Sequence, residues 1–363
     1  MAAFDEAGFQ FRTGLVPQPI KDGVRQPAVM EQTVFFYPTQ KDLAQRFISE
    51  FTILIDRTFN TNCLRIPFIQ LIGIANTGKS FPATFSFAVS ESKHAFDFIF
   101  ETVDILIFTN QNVARPSVII ADQAAGLIAL IPTSLPDIPL QFCDWHCAEN
   151  IRKRLAKNGY KKDERDRVME KVCQYIKTEE EYLVEIQRGA LCHHLNPEEV
   201  AYIDTYWRQK ERQALCCYTR LLPNLGCSAS QRVESFQPIF KQVLNGQLTL
   251  EQSARRIAEQ VLRIIRDLAT NKDRSRIQRP NIVDAVAFHL VIDKVTHKAI
   301  LLVANDWEGL KSTYNTNRRI YQPSELCDYE LPLRYGLPCA HRLAPYLTSD
   351  TPIHLRCFIL VGT

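Results

Sequence analysis

Long apolar runs are missing from this 363-residue sequence; the longest are strand-sized, short of the ~18 residues that a membrane-spanning helix requires. The N-terminus, MAAFDEAGFQFRTGLVPQ, has acids early and no apolar core of the kind a secretory signal carries. A charge excess is missing too, since 43 basic residues face 40 acidic ones for a net +3. Any nucleic-acid contact must therefore come from local clustering and not from bulk charge. Eleven cysteines are present, an odd number, without the framework of a small disulfide-stapled domain. With no secretory signal, reduced thiols used for burial or metal ligation are expected. Internal repeats and low-complexity segments are also lacking. These absences predict a soluble intracellular chain with no membrane partner, long enough for one large domain or two ordinary ones.

What is present is ordered text after an N-terminal stretch. Residues 1–31 carry Gly, Pro and charges without period and read as an irregular arm. A short helix is expected over 39–48. Three strand-like runs follow, FTILID (51–56), FIQLIGIA (68–75) and FPATFSFAVS (81–90), with the turn chemistry of NTGKS between the last two. They predict an antiparallel meander. Apolar residues at helical spacing then mark 92–108. PSVIIAD (116–122) reads as a short buried strand of the parallel kind, followed by a helix at 124–131 and a strand at 138–145. Residues 147–222 change to charged helical text. Next comes LGCSASQRVESFQPIFKQVLNG, where Ser228 with Gln231 forms a capping box and Val233, Phe236, Phe240 and Val243 form a stripe. A last amphipathic helix spans 249–270.

Three carboxylates share a local logic. Asp56 and Asp122 close the first and fourth strands, and Glu234 sits in the second turn of a new helix. Strand-end acids from neighbouring strands converge on one edge of a sheet, and a third from a helix completes an oxygen-lined pocket for divalent cations. Two such ions flanking a phosphate can activate a nucleophile and stabilise the leaving oxygen, and hard carboxylate oxygens suit Mg²⁺ or Mn²⁺. Aspartate is also a common strand terminator, so the pattern alone leaves a purely structural role open.

The stretch FFYPTQKDLAQRFISEFTILIDRTFNTNCLRIPFIQLIGI resembles the opening of the catalytic domain of Mutator-like element (MULE) transposases. PSVIIADQAAGLIALI is similar to their second-aspartate segment, CDWHCAENI to their Cys-x-x-His motif, and SQRVESFQPIFK to their glutamate helix. The likeness runs over roughly residues 32–345 in the family's order. It implies an RNase H-like mixed α/β sheet over 32–270, with an all-helical insertion at about 147–222 and a C-terminal region, 271–363. It also implies that Asp56, Asp122 and Glu234 form a DDE triad for metal-assisted attack of water or a 3′-hydroxyl on a DNA phosphodiester. The implied partners are transposon ends and target DNA in the nucleus, with a homo-oligomer as a further expectation.

Two cysteine–histidine pairs stand out. Cys143 and His146 could give zinc two of the four ligands a structural site needs, with Cys147, Cys192, His193 and His194 as completions; burial of the cysteine is the alternative. CDYELPLRYGLPCAH (327–341) resembles the SWIM zinc finger that follows such catalytic domains. Cys327, Cys339 and His341 align with its ligands, whereas Tyr329 stands where a cysteine belongs, so the finger reads as degenerate. Phosphate contact is expected from Arg152, Lys153, Arg154 and Lys157 in the insertion, and from Arg255, Arg256, Arg263 and Arg266 in the last helix. Family members carry a DNA-binding module ahead of the catalytic domain, and the short arm here suggests truncation or loss. The expected function is a Mutator-like DNA transposase; the alternative is a decayed or domesticated derivative that binds DNA and regulates transcription without catalysis.

Overall fold

The structure, a computed structural model, describes residues 2–18, 28–48, 52–108, 115–227, 236–277, 284–317 and 329–358. Glu234, with Ser228, Gln231 and Val233 of its expected helix, and Cys327 lie outside the described residues.

A seven-stranded mixed sheet organises them, in the order β1 (Gln10–Val16), β2 (Val29–Phe36), β5 (Ser80–Ala88), β4 (Phe68–Ile74), β3 (Thr52–Thr58), β6 (Val118–Ala121) and β7 (Leu140–Phe142). The expected meander is there: β3 (Thr52–Thr58), β4 (Phe68–Ile74) and β5 (Ser80–Ala88) pair antiparallel. The expected switch to parallel pairing follows, with β6 (Val118–Ala121) beside β3 and β7 (Leu140–Phe142) beside β6. The helix expected over 39–48 is α2 (Pro38–Phe47), and the crossovers are α3 (Lys93–Leu106) and α4 (Ala125–Ser134). β7 is shorter than the strand expected at 138–145, because Cys143 caps a helix that starts at Asp144 and ends the extended run.

Alternation of side chains sends successive residues of each strand to opposite faces. Ile53, Ile55, Ile69, Leu71 and Ile119 pack into one core with α3, α4 and the helices of the insertion. Leu54, Phe68, Ile72 and Ile120 face the other core, shared with Phe240 of α9 (Phe236–Lys241) and with Ala254, Ile257 and Val261 of α10 (Leu250–Ile277). Helical text over 147–222 forms α5 (Asp144–Lys157), α6 (Lys162–Ile176), α7 (Val184–Cys192), α8 (Pro197–Tyr202) and short turns to Thr219. A third, smaller cluster near the C-terminus joins Phe288 to α11 (His297–Asn317) and α12 (Ala340–Thr348) through Val303, Trp307 and Leu343. No helix among the described residues is long and apolar enough to cross a membrane.

The N-terminal stretch differs from expectation. Instead of an irregular arm it forms a short helix, α1 (Ala2–Glu6), and strand β1 (Gln10–Val16), which pairs antiparallel with β2 (Val29–Phe36). β1 is a half-exposed edge strand, so the sequence shows no clear alternation there. Its order comes from elsewhere: Phe4 and Phe9 are buried, with ring centroids 4.7 and 5.1 Å from Phe35. An edge strand fixed by tertiary contact leaves little local signal.

One glycine sets how closely the crossovers pack. A Cβ on Gly126 of α4 would run into the backbone of Glu91 and Ser92, just before α3. Gly126→Ala should therefore cost about 1–3 kcal/mol through enforced backbone movement, read as a lower denaturant midpoint. Gly189→Ala, in α7 with open space at the same position, should be neutral or stabilising by up to about 1 kcal/mol; equal behaviour of the two would reject the close-packing argument.

Candidate functional site

The site grows from the short parallel ladder. Thr52, Ile53 and Leu54 of β3 pair with Val118, Ile119 and Ile120 of β6. Two residues past the last pair lie Asp56 and Asp122, one on each chain, with strands at ~4.8 Å spacing. The sequence reading set Asp56 at the end of its strand; in the structure β3 runs on to Thr58, paired with β4 alone, so Asp56 marks where β6 leaves β3. It is 4% exposed, a carboxylate held at the rim of the sheet. Directly across from it on β4 is Gln70, whose Nε2 donates to Thr58 Oγ1 at 3.3 Å while its Oε1 is buried without a hydrogen-bond partner.

Asp122 follows β6 in a tight turn into α4. Its Oδ1 accepts the Ala124 N–H at 3.1 Å, and its Oδ2 lies 3.1 Å from Arg57 Nη2. Arg57 also pairs with Glu91 and lies over the exposed Phe59 ring at 5.6 Å. Arg57, Glu91 and Gln70 escape the sequence reading. Arg57 adjoins Asp56, but strand alternation sends neighbours to opposite faces, so adjacency did not suggest a shared site.

The two acids fit a hard divalent cation by donor chemistry, with oxygen ligands on rigid elements. The orphaned Gln70 oxygen beside Asp56 is what a bound ion or its water would satisfy. Among the described residues no group of three or more His, Cys, Asp or Glu side chains is gathered to hold a metal, and Glu234, the expected third acid, lies outside them. The flanks of its segment are described. Cys227 is buried and its carbonyl accepts from Gln141 Nε2 of β7 at 3.0 Å. Phe240 sits edge-on to Phe68 and Phe85 at 5.7 and 5.3 Å. Both anchors lie on the sheet face that carries Leu54 and Ile120.

Cys143 and His146 gather no third ligand among the described residues. The Cys143 thiol instead caps α5, accepting the His146 N–H at 3.4 Å, and Cys147 accepts from Gln123 Nε2 at 3.4 Å. Burial pushes the Cys147 thiol well above its ordinary range, with Cys143 and Asp144 adding to the rise. The His146 Nδ1 is buried without a hydrogen-bond partner. Cys192, His193 and His194 close α7 in the insertion. At the C-terminal motif, Cys339 Sγ lies 3.8 Å from His341 Nδ1, and the Tyr329 ring stacks on His341 at 5.0 Å. The Tyr329 phenol ring is packed nearly flat against the histidine, with 14° between the ring planes.

The basic residues divide. Arg154 is structural: it holds Glu199, which is 2% exposed, at 2.7 Å, and covers the Tyr202 ring at 4.0 Å. Asn158 donates to the same carboxylate. Arg152 faces Glu149 and Asp166 at 3.7 and 3.6 Å. Arg255 bridges Glu6 and Glu251, and Arg256 donates to the Val243 carbonyl at 2.9 Å. Lys153, Lys157, Arg263 and Arg266 are exposed on α5 and α10.

Residues 52–150 match the family described as the MULE transposase domain. That segment runs from β3 into α5 and so contains Asp56, Asp122, Cys143 and His146. Over 342 residues the chain is 24% identical to the PKS-NRPS hybrid synthetase cheA of Chaetomium globosum, a likeness covering 84% of this chain. The chain spans only 7% of that protein's length.

Two outcomes follow from the contacts above. Arg154→Ala leaves the Glu199 carboxylate buried without its cation and should destabilise by about 3–5 kcal/mol; a denaturation midpoint equal to wild type would refute the structural assignment. In alkylation of the native chain at pH 8, exposed Cys63 and Cys173 should label well ahead of buried Cys143 and Cys147, with mass mapping as the readout.

Proposed function

We propose that this chain, with its MULE transposase domain at residues 52–150, is a DDE-type DNA transposase built on an RNase H-like sheet. DNA is then the partner, consistent with that domain. The single observation that carries the reading is the pair Asp56 and Asp122, brought level at the rim of one sheet by the β3–β6 register. Glu234 is the proposed third acid, and both flanks of its segment rest on the face toward which Asp56 alternates.

Asp56, Asp122 and Glu234 would hold Mg²⁺ or Mn²⁺. When bound, such ions polarise a phosphodiester and lower the pKa of an attacking water or hydroxyl. The chain's own part is positional. β3 and β6 fix the two carboxylates on rigid backbone, so little reorganisation is needed when a phosphate arrives. The buried flank of Asp56 limits competing solvent on one side. Exposed Arg263 and Arg266 on α10, with Lys153 and Lys157 on α5, would take DNA phosphates away from the cut and fix register without reading bases. With DNA as substrate, the nucleus is the proposed location, and pairing two DNA ends calls for more than one copy. Zinc at Cys143 and His146, or at Cys327, Cys339 and His341, would be structural.

A second reading is a derivative that binds DNA and regulates without cutting. Tyr329 favours it, since the phenol occupies a ligand position and stacks on His341. Mn²⁺-dependent nicking or strand transfer on linear DNA separates the two. Asp56→Ala and Asp122→Ala should each lower the rate by at least about 10²–10³-fold, the scale of losing a principal charge-stabilising group, with DNA affinity kept. Wild type and both variants equally inactive, but binding DNA, would establish the second reading. Arg263→Ala and Arg266→Ala should weaken binding uniformly across sequences, each reducing the salt slope by about 1.

A further inference from the structure

Asp122 is not an idle carboxylate. One oxygen accepts a backbone N–H from Ala124 and the other faces the Arg57 guanidinium at 3.1 Å. The same guanidinium pairs with Glu91. Three charged groups thus form a row, Asp122, Arg57 and Glu91, with side chains 14, 32 and 25% exposed. Each is sheltered enough for its charge to need compensation, yet open enough to exchange partners.

We propose that Arg57 is a built-in counter-ion for Asp122, one that a divalent cation must displace, with Glu91 holding the guanidinium once it is displaced. This rests on the reading of Asp56 and Asp122 as a metal-binding pair. The charge arithmetic favours it. Without a cation, two acids at one sheet rim repel each other, and Arg57 neutralises the more exposed one. A divalent ion supplies that neutralisation itself, and a guanidinium at the same oxygen then becomes a like-charged neighbour. Arg57 can leave because its second partner is already in contact. Glu91 is set in place by the backbone, since its carbonyl abuts Gly126 of α4. Displaced toward Glu91, Arg57 stays at the rim one residue from Asp56, a cation ready for an incoming phosphate. Arg57 is in this sense a positioning residue that sets metal affinity.

The test is Mn²⁺ binding to the full chain by calorimetry or by the EPR signal of free Mn²⁺, in wild type, Arg57→Gln, Glu91→Gln, the double variant and Asp122→Asn. Arg57→Gln should bind Mn²⁺ roughly fivefold more tightly, and its melting temperature should rise more on saturation. Glu91→Gln should bind more weakly, because Arg57 then rests on Asp122 alone. A bulk field effect would make the two changes additive. Action through Arg57 makes the Glu91→Gln effect vanish in the double variant. Additive effects, or Arg57→Gln no tighter than a wild type that binds, would overturn the inference and leave the metal pair standing. No Mn²⁺ binding by wild type or Arg57→Gln, with Asp122→Asn the same, would overturn both.

Discussion

Three residue pairs of parallel sheet, Thr52–Leu54 against Val118–Ile120, set the two candidate acids of this molecule side by side. Parallel strands need a crossover on one face and leave their C-terminal ends side by side at one rim. That rim is where Asp56 and Asp122 emerge. The sheet behind it is covered on both faces, so a carboxylate would be costly one turn further back. At the rim Asp56 is still buried, at 4% exposure, while the Asp122 side chain is 14% exposed. The crossover also fixes the charge around the acids: α4 can lie against the start of α3 only because Gly126 has no side chain, and the backbone it meets belongs to Glu91. Packing between two helices thereby sets a counter-ion network at the site.

The same rule, that a sheltered charge must be answered, recurs at two other places among the described residues. Glu199 is buried among helices of the insertion and is met by Arg154 and Asn158. Burial pushes the Asp284 carboxyl up, but Lys311, Trp307 and the Ala287 N–H together hold it below the usual carboxylate range. Basic residues that look like a DNA footprint in one dimension are therefore partly spent inside the fold. Arg154 is a structural ligand for a carboxylate, while Lys153 beside it faces solvent. A run of charge in sequence does not separate these roles, because adjacent residues of a helix point about 100° apart.

Much of the architecture was legible because it has local causes. β3 to β5 carry aliphatic or alternating runs bounded by turn residues, and PSVIIAD (116–122) reads as a buried strand, which the structure forms over Val118–Ala121. The insertion reads as helical from its charge and period. β1 did not: a half-exposed edge strand has no strong pattern, and its aromatic plug, Phe4 and Phe9 on Phe35, joins residues far apart in the chain. The end of β7 was misplaced for a similar reason, since Cys143 looks like the tail of an apolar run until its thiol is seen capping α5.

The sequence by itself determined which residues are candidates for chemistry: acids at the ends of aliphatic runs, set in a family-like order of motifs. Only the tertiary structure decided what surrounds them. It brought Asp56 level with Asp122, left the Gln70 oxygen buried on the strand opposite Asp56, and set Arg57 between Asp122 and Glu91. Strand composition is written locally, in the period of a few residues. Register between strands 66 positions apart, and the counter-ions that gather at its edge, depend on how the whole chain closes its two cores.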